Sequence, residues 1–240
     1  MLLLSTAADL YWLGRYLKRS RTLLSVLLKA FAQPNREQLI IPLSLTATGA
    51  YYYQQYPEVK DHFIADFFSD GQNASSITAC LVAIRADAQA TRGSLPSQLW
   101  LAINKLYLTW QASFVSKIDY PVLLAKYQSL DPELAQIQQL IDDLSSDIAL
   151  FINLGQGIEA LDNLLRQAFI KQGMPLDQQQ AQQILLDLEG YLQNLSAPIW
   201  HKVIEPMQKL RQAMTEQMPV VALQQHLQQL TAAITDVFAS

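Results

Sequence analysis

The sequence predicts an all-α protein, a helical bundle that contains two related helical repeats. Only eight glycines occur among 240 residues, and apolar residues recur at helical spacing along nearly the whole chain. The stretch LGRYLKRSRTLL (13–24) also resembles LGQGIEALDNLL (154–165), with Gly14 over Gly155. We therefore expect a single domain over 1–240, with repeat one at about 5–116 and a shortened repeat two at about 121–240.

The first part of the chain predicts three helices. The first should begin with a capping box at Thr6–Asp9 and end before Pro34. A shorter helix should follow Asn35. The stretch TGAYYYQQYP (48–57) predicts a turn with aromatic packing, and a short helix should cover 58–68.

Prolines and small polar residues mark the helices that follow. Asn73 or Ser75 should cap a helix reaching about Leu95, and Pro96 should open another, to about Ser116. Pro121 and Pro132 should each begin a helix, and the latter or its continuation should run to Lys171.

The last part of the chain predicts a turn and two helices. Gly173 should be the C-terminal cap before the turn, because Pro175 follows it. Helices should then cover about 177–217, with bends at Pro198 and Pro206, and about 219–238. The glutamine-rich tracts within them keep apolar residues at helical spacing, so they predict solvated helix faces.

The two similar stretches share one helical phase. In each helix, apolar residues form an arc on one side and polar residues form an arc on the opposite side. The polar arc of the first copy holds Arg15, Lys18, Thr22, Ser25 and Lys29, and that of the second holds Gln156, Glu159, Asp162, Asn163 and Arg166. The paired glycines predict a close approach of two helices, because glycine inside a helix costs about 1 kcal/mol relative to alanine. The alternative is a backbone left bare for a ligand.

Composition excludes several classes of function. The net charge of −4 gives no overall attraction to nucleic acid or anionic membrane. Cys80 is the one cysteine, and we expect it to be a buried small hydrophobe. No uncharged apolar stretch reaches the roughly 20 residues that a membrane span needs, and the start of the sequence lacks a basic signal-peptide region. We expect a cytoplasmic protein without metal or cofactor.

Two motif regions carry a family resemblance. LYWLGRYLKRSR and NASSITACLVAIRADAQATRGSLPSQLWLAINKLYL are similar to those of the bacterial alpha-E family, an all-helical family with a Glu-Arg motif. Residues 10–16 fit closely, and Arg19 fits the arginine of the first Glu-Arg motif. Glu159 fits the glutamate of the second. The residues that fit the second region include Asn73, Ser76, Arg85, Arg92, Trp100 and Asn104.

The departures from the family pattern fall on polar residues. Lys18 stands at the first motif glutamate and Ala160 at the second motif arginine. Ala86, Asp87 and Gln89 replace Glu, Asn and Arg. The resemblance therefore implies a divergent member that keeps the fold and has an altered site.

The resemblance also implies the kind of system in which the protein acts. Alpha-E family members resemble companions of ATP-grasp ligase-like proteins, of transglutaminase-like proteins and of a proteasome-like peptidase. This implies a role in forming or processing amide-linked peptides. The partner should be an ATP-grasp-type protein or a second alpha-E protein. A peptide is a possible ligand, whereas nucleic acid and membrane are not expected.

Five residues are candidates for binding an anion or another ligand: Arg15, Arg19, Arg85, Arg92 and Glu159. Arg85, Gln89 and Arg92 should form a stripe on one helical face, where two arginines could hold a carboxylate or phosphate. The alternative for all these charges is a solvated helix face. We predict no catalytic residue, because no phosphate-cradling loop, HExxH, CxxC or nucleophile elbow occurs.

Three functions remain open from the sequence. The first is an accessory helical binding or scaffold protein of the ATP-grasp-associated system. The second is an enzyme in which Glu159 acts with Arg19, Arg85 and Arg92 in a cleft between the repeats, for acyl or phosphoryl transfer. The third is a helical assembly protein unrelated to peptides. We also predict an ion pair between Arg19 and Glu159, the one motif pair that this chain retains.

Overall fold

The computed structural model describes residues 2–112, 119–144, 147–170, 176–195 and 198–240. Within these ranges the chain forms eleven α-helices and one 3₁₀ turn, with no β-strand. The prediction of an all-α protein is confirmed. None of the helices built from these residues combines the length and apolar character that a membrane crossing requires.

The chain divides into two compact units. The first unit comprises Met1–Arg15 and Ser145–Ser240, and the second comprises Tyr16–Leu144. Helix α1 (Leu4–Ala32) contributes its first turns to the first unit and the rest of its length to the second.

The second unit is built around four helices in a closed ring. Its elements after α1 are α2 (Arg36–Leu45), α3 (Gly49–Gln55), α4 (Asp61–Ser69), α5 (Ile77–Ala90), α6 (Ser97–Gln111) and α7 (Tyr120–Asp142). Helix α4 packs on α5, α5 on α6, α6 on α7, and α7 on α4 again, while α2 packs on α3. The buried hydroxyl of Tyr127 in α7 donates to the carbonyl of Ala65 in α4 at 2.8 Å, and this bond ties the ring together.

The first unit contains a second ring of the same kind. Its helices are α8 (Asp147–Ile170), α9 (Gln178–Gln193), α10 (His201–Thr215) and α11 (Val220–Phe238), with the 3₁₀ turn Pro198–Trp200 before α10. Helix α8 packs on α9, α9 on α10, α10 on α11, and α11 on α8. An aromatic cluster of Tyr11, Phe151, Trp200 and Phe238 lies in this unit, with ring centroids 5.4–6.3 Å apart.

The first turns of α1 cross α8 with the two backbones in contact. A Cβ on Gly14 would lie 2.0 Å from the carbonyl oxygen of Ile152, and one on Gly155 would lie 2.0 Å from that of Tyr11. No side chain larger than hydrogen fits at either glycine. The predicted close approach is confirmed at this crossing, and the internal repeat itself stays a prediction.

Several predicted boundaries are wrong. Thr6 lies inside α1, which begins at Leu4, so it forms no N-terminal cap. The stretch 48–57 contains helix α3, although its predicted aromatic packing is present. Pro132 lies inside the continuous helix α7, and its exposed position lets water reach the carbonyl that it leaves unbonded. Asn35 does cap α2, because its side chain accepts from the amide of Gln38.

Helix α5 also differs from the prediction at both ends. Ser76 is its N-terminal cap and accepts from the amide of Ala79, and the helix ends at Ala90 and not near Leu95. The predicted helix ends at Ser116 and Lys171 lie outside the described residues, as do Gly173 and Pro175.

Candidate functional site

Arg15 and Glu159 form a buried ion pair in the first unit. Nε of Arg15 donates to Oε2 of Glu159 at 2.9 Å, and Nη2 lies 2.9 Å from the same oxygen. The side chains are 10% and 2% exposed. The alternative interpretation, that these charges belong to a solvated helix face, is therefore wrong for both residues.

The crossing of α1 and α8 explains how these charges come to be buried. Arg15 follows Gly14 directly, and Glu159 lies one turn after Gly155. Because the backbones touch at the glycines, side chains beside the crossing meet across a short gap. The guanidinium and the carboxylate neutralise each other there, which offsets the cost of removing both charges from water.

Aromatic rings complete the surroundings of Arg15. Its guanidinium carbon lies 6.0 Å from the ring centroid of Tyr11 and 5.3 Å from that of Trp12. Tyr11 is fully buried, and its burial raises the pKa of its hydroxyl, which the nearby positive charge of Arg15 opposes. Tyr11 is therefore a packing residue of this unit.

A surface groove of about 460 Å³ runs between α8 and α11 beside this ion pair. We call it the α8–α11 groove. On one side it is lined by Arg15, Asp162 and Arg166, and on the other by α11 residues: Leu227, Gln228, Thr231, Ala232, Thr235 and Asp236. Asp162 and Arg166 form an ion pair at 3.0 Å within α8, with the arginine 42% exposed. Charged, amide and hydroxyl groups thus lie around one concave surface.

A second cluster in the second unit brings the candidate residues Arg85 and Arg92 against helix α6. Nε of Arg85 donates to Oδ1 of Asn104 at 3.0 Å, and its guanidinium carbon lies 4.7 Å from the ring centroid of Tyr107. The guanidinium carbon of Arg92 lies 5.3 Å from the ring centroid of Trp100. We call these five residues the arginine–aromatic face.

The α6 residues of the arginine–aromatic face lie on one side of that helix. Trp100, Asn104 and Tyr107 are four and three residues apart, so they share one side of the helix. The predicted stripe of Arg85, Gln89 and Arg92 along α5 is wrong in part, because α5 ends at Ala90 and Arg92 lies beyond it. The two arginines instead share the aromatic side of α6.

Other residues that carried the family resemblance hold the backbone of the segment before α5 in place. Asn73 is buried, its Nδ2 donates to the carbonyl of Phe67 at 3.1 Å, and its Oδ1 accepts from the amide of Ser75. Ser76 then caps α5. Cys80 is buried in α5, as predicted. These residues position the helix that carries Arg85.

The remaining basic residues of α1 lie in the second unit. The guanidinium carbon of Arg19 is 5.5 Å from the ring centroid of Tyr16, and Nη1 of Arg21 donates to Oε1 of Gln138 at 3.0 Å. Burial lowers the pKa of Lys18, and the positive charge of Arg21 adds to this effect. Arg19 and Glu159 belong to different units, and their pairing stays a prediction.

Sequence reasoning missed the α11 side of the groove. The half-buried Thr231 and the exposed Thr235 and Asp236 lie in a polar stripe that helical phase does not distinguish from any other solvated face. Across the five described ranges, no group of three or more His, Cys, Asp or Glu residues could hold a metal ion.

Comparison with known families decides where this chain belongs. A family model described as a predicted alpha-helical domain with a conserved ER motif, Alpha-E, matches residues 2–205 of 240. The chain belongs to the alpha-E family. No curated protein and no solved structure matches it significantly. In this alpha-E protein, the carboxylate of Glu159 binds Arg15 of another helix.

Proposed function

We propose that this alpha-E protein is an accessory helical binding protein of an ATP-grasp-associated system that forms or processes amide-linked peptides. Its role is to bind a protein or peptide, and it acts without a cofactor in the cytoplasm. Its partner is an ATP-grasp-type protein or a second alpha-E protein. The family resemblance supports the kind of system, and the surface chemistry supports binding.

The arginine–aromatic face is the observation that carries the proposal. Neither Arg85 nor Arg92 forms an ion pair with a carboxylate among the described residues, and Arg92 is exposed. Each guanidinium lies over an aromatic ring, which limits its motion while leaving N–H groups for a ligand. Guanidinium groups that are held in place and have no counter-ion are typical of a site that binds carboxylates.

The spacing of the two cations favours a polypeptide ligand. Trp100 and Tyr107 are seven residues apart on α6, so their rings are separated by roughly 10 Å along the helix axis. Two separate carboxylates of an acidic segment span such a distance. The side-chain carbonyl of Asn104 lies between the rings in sequence and holds Arg85 in place.

The alternative is an enzyme that uses Glu159 with Arg19, Arg85 and Arg92. The observed position of Glu159 does not favour it, because its side chain is 2% exposed and its carboxylate is held by Arg15. A catalytic acid or base has to reach its substrate within hydrogen-bond distance. We therefore assign Glu159 to the support of the fold.

The test is a binding titration with an ATP-grasp-type protein from the same genome, and separately with an acidic peptide. The double variant Arg85→Ala/Arg92→Ala should weaken binding by about 1.5–3 kcal/mol for each charge-assisted bond lost. The control is Lys29→Ala/Arg36→Ala, which removes the same charge from exposed positions of the same unit. Equal binding by the parent and both double variants would refute the proposal.

An activity measurement separates the two functions. If the complex forms amide bonds, Glu159→Gln should leave the chemical step unchanged in any variant that still folds. A loss of turnover with intact binding and intact helicity would favour the enzyme instead.

A further inference from the structure

The α11 side of the α8–α11 groove presents hydrogen-bond acceptors. Oγ1 of Thr231 donates to the carbonyl of Leu227 at 2.9 Å, and Oγ1 of Thr235 donates to the carbonyl of Thr231 at 2.8 Å. A hydroxyl has one hydrogen, so both oxygens retain only lone pairs for a ligand. The carboxylate of Asp236 adds two more acceptor oxygens beside them.

The charges around the groove leave one negative charge without a counter-ion. Arg15 is paired with Glu159, and Arg166 is paired with Asp162. Asp236 is exposed and forms no ion pair with any residue in the described ranges. The groove therefore favours a ligand with a positive charge, and its acceptors favour one with several hydrogens to donate.

From this arrangement we propose that the α8–α11 groove binds the primary ammonium group of a peptide. An ammonium carries one positive charge and three N–H donors with no acceptor, which complements Asp236, Thr231 and Thr235. The volume of about 460 Å³ lies within the range of ligand sites and accommodates a short peptide segment.

Donors on both sides of the groove orient such a peptide. The guanidinium of Arg166 on α8 is 42% exposed, and Gln228 on α11 presents a side-chain amide. Both can donate to carbonyl oxygens of the bound segment while its ammonium lies at Asp236. The ammonium belongs either to the amino terminus or to a lysine side chain, and both present the same group.

This site goes beyond the proposed function and is independent of it. It lies in the first unit, whereas the arginine–aromatic face lies in the second. A peptide can bind the groove whether or not the arginines bind an acidic partner.

The experiment uses the full chain and three short alanine-based peptides with amidated carboxyl ends. One has a free amino terminus and no lysine. The next is acetylated at its amino terminus and carries one lysine. The third is acetylated and lacks lysine, so it has no ammonium. Binding is measured at low salt by calorimetry for the parent, Asp236→Asn, Thr235→Val and the control Asp187→Asn, an exposed acid on α9.

At least one ammonium peptide should bind the parent about tenfold or more tightly than the third peptide, since a hydrogen bond to a charged group contributes that much. Asp236→Asn should remove this preference, Thr235→Val should reduce it a few-fold, and Asp187→Asn should keep it. The tighter of the two ammonium peptides identifies the source of the group.

Three results would overturn the proposal. They are equal binding of all three peptides, no binding of any of them, and a preference that Asp236→Asn retains as fully as Asp187→Asn does. The variant Arg85→Ala/Arg92→Ala should keep the preference, so this test and that of the proposed function can fail separately.

Discussion

Gly14 and Gly155 occupy reciprocal positions where α1 crosses α8. Each glycine lies against the carbonyl of the residue three places before the other, Ile152 for Gly14 and Tyr11 for Gly155. Such reciprocity is the geometry of a local two-fold axis. It supports the hypothesis that the two helices arose by duplication, because the same spacing is used in both directions.

The first prediction concerns these glycines. Gly14→Ala or Gly155→Ala should lower the free energy of unfolding by about 2–3 kcal/mol or more, because a methyl group meets backbone that cannot move aside. The measurement is urea denaturation followed by circular dichroism. Gly190→Ala in α9 is the control, since a Cβ there meets nothing within 4 Å. It should stabilise by roughly 0.5–1 kcal/mol through helix propensity.

The second prediction concerns the buried ion pair. Glu159→Ala should cost roughly 3–5 kcal/mol of unfolding free energy, because it leaves the guanidinium of Arg15 buried without its counter-ion. Arg15→Met/Glu159→Met should recover much of that loss, since no charge is left stranded. The partly exposed pair of Asp162 and Arg166 is the control, and Asp162→Ala should cost at most about 1 kcal/mol. A loss below about 1 kcal/mol for Glu159→Ala would contradict the buried pairing.

The third prediction concerns alkaline pH. Burial raises the pKa of Tyr52 to about 12, and burial raises the pKa of Tyr127 well above its usual value of 10. The unfolded chain therefore releases these protons from about pH 10, while the folded chain retains them. The stability that they contribute is complete below pH 10 and is lost as the pH rises toward 12.

Denaturation at a series of pH values, with tyrosinate absorbance as a second signal, measures this loss. Tyr127→Phe should be less stable than the parent at neutral pH, because it lacks the bond to Ala65, and its stability should fall less steeply above pH 10. The half-exposed Tyr53 provides the control Tyr53→Phe. A slope as steep in Tyr127→Phe as in the parent would show that Tyr127 makes no such contribution.

The fourth prediction concerns the segment before α5. Asn73→Ala should cost about 1–3 kcal/mol, because it removes partners from the carbonyl of Phe67 and the amide of Ser75. Ser76→Ala should cost about 1 kcal/mol by removing the helix cap. Thermal unfolding of both variants and of the exposed Gln72→Ala measures these effects. If Asn73→Ala is as stable as Gln72→Ala, Asn73 does not hold the segment.

The sequence was sufficient for the fold class and for the glycine crossing. Helical spacing of apolar residues is a local property, so it predicts most helices without knowledge of their neighbours. The crossing was predictable because the same costly residue recurs at equivalent places. Pro132 shows the limit of such local prediction, because it was expected to begin a new helix but lies inside α7. The apolar residues Leu130, Leu134 and Ile137 stay on one buried side, so the helix continues through the proline.

The ion pair and the groove could not be predicted in the same way. Helical phase assigns Arg15 and Glu159 to polar arcs, and only the tertiary crossing, 144 residues apart in sequence, turns those arcs toward each other. The same holds for Arg92, which was expected on α5 and lies over a ring of α6. A charged side chain can be buried only where it has a partner, and a partner on another helix cannot be found from the local sequence.

The division of the chain imposes an order on its folding during synthesis. Tyr16–Leu144 is one contiguous segment, whereas Met1–Arg15 belongs with residues that the ribosome adds only after position 144. At about 5–20 residues per second, the first turns of α1 wait on the order of ten to thirty seconds for α8. During that interval Leu10, Tyr11 and Leu13 have none of their later surroundings in the first unit. Nascent chains should therefore need a chaperone most at this stage, and the second unit should gain protease resistance before the first unit.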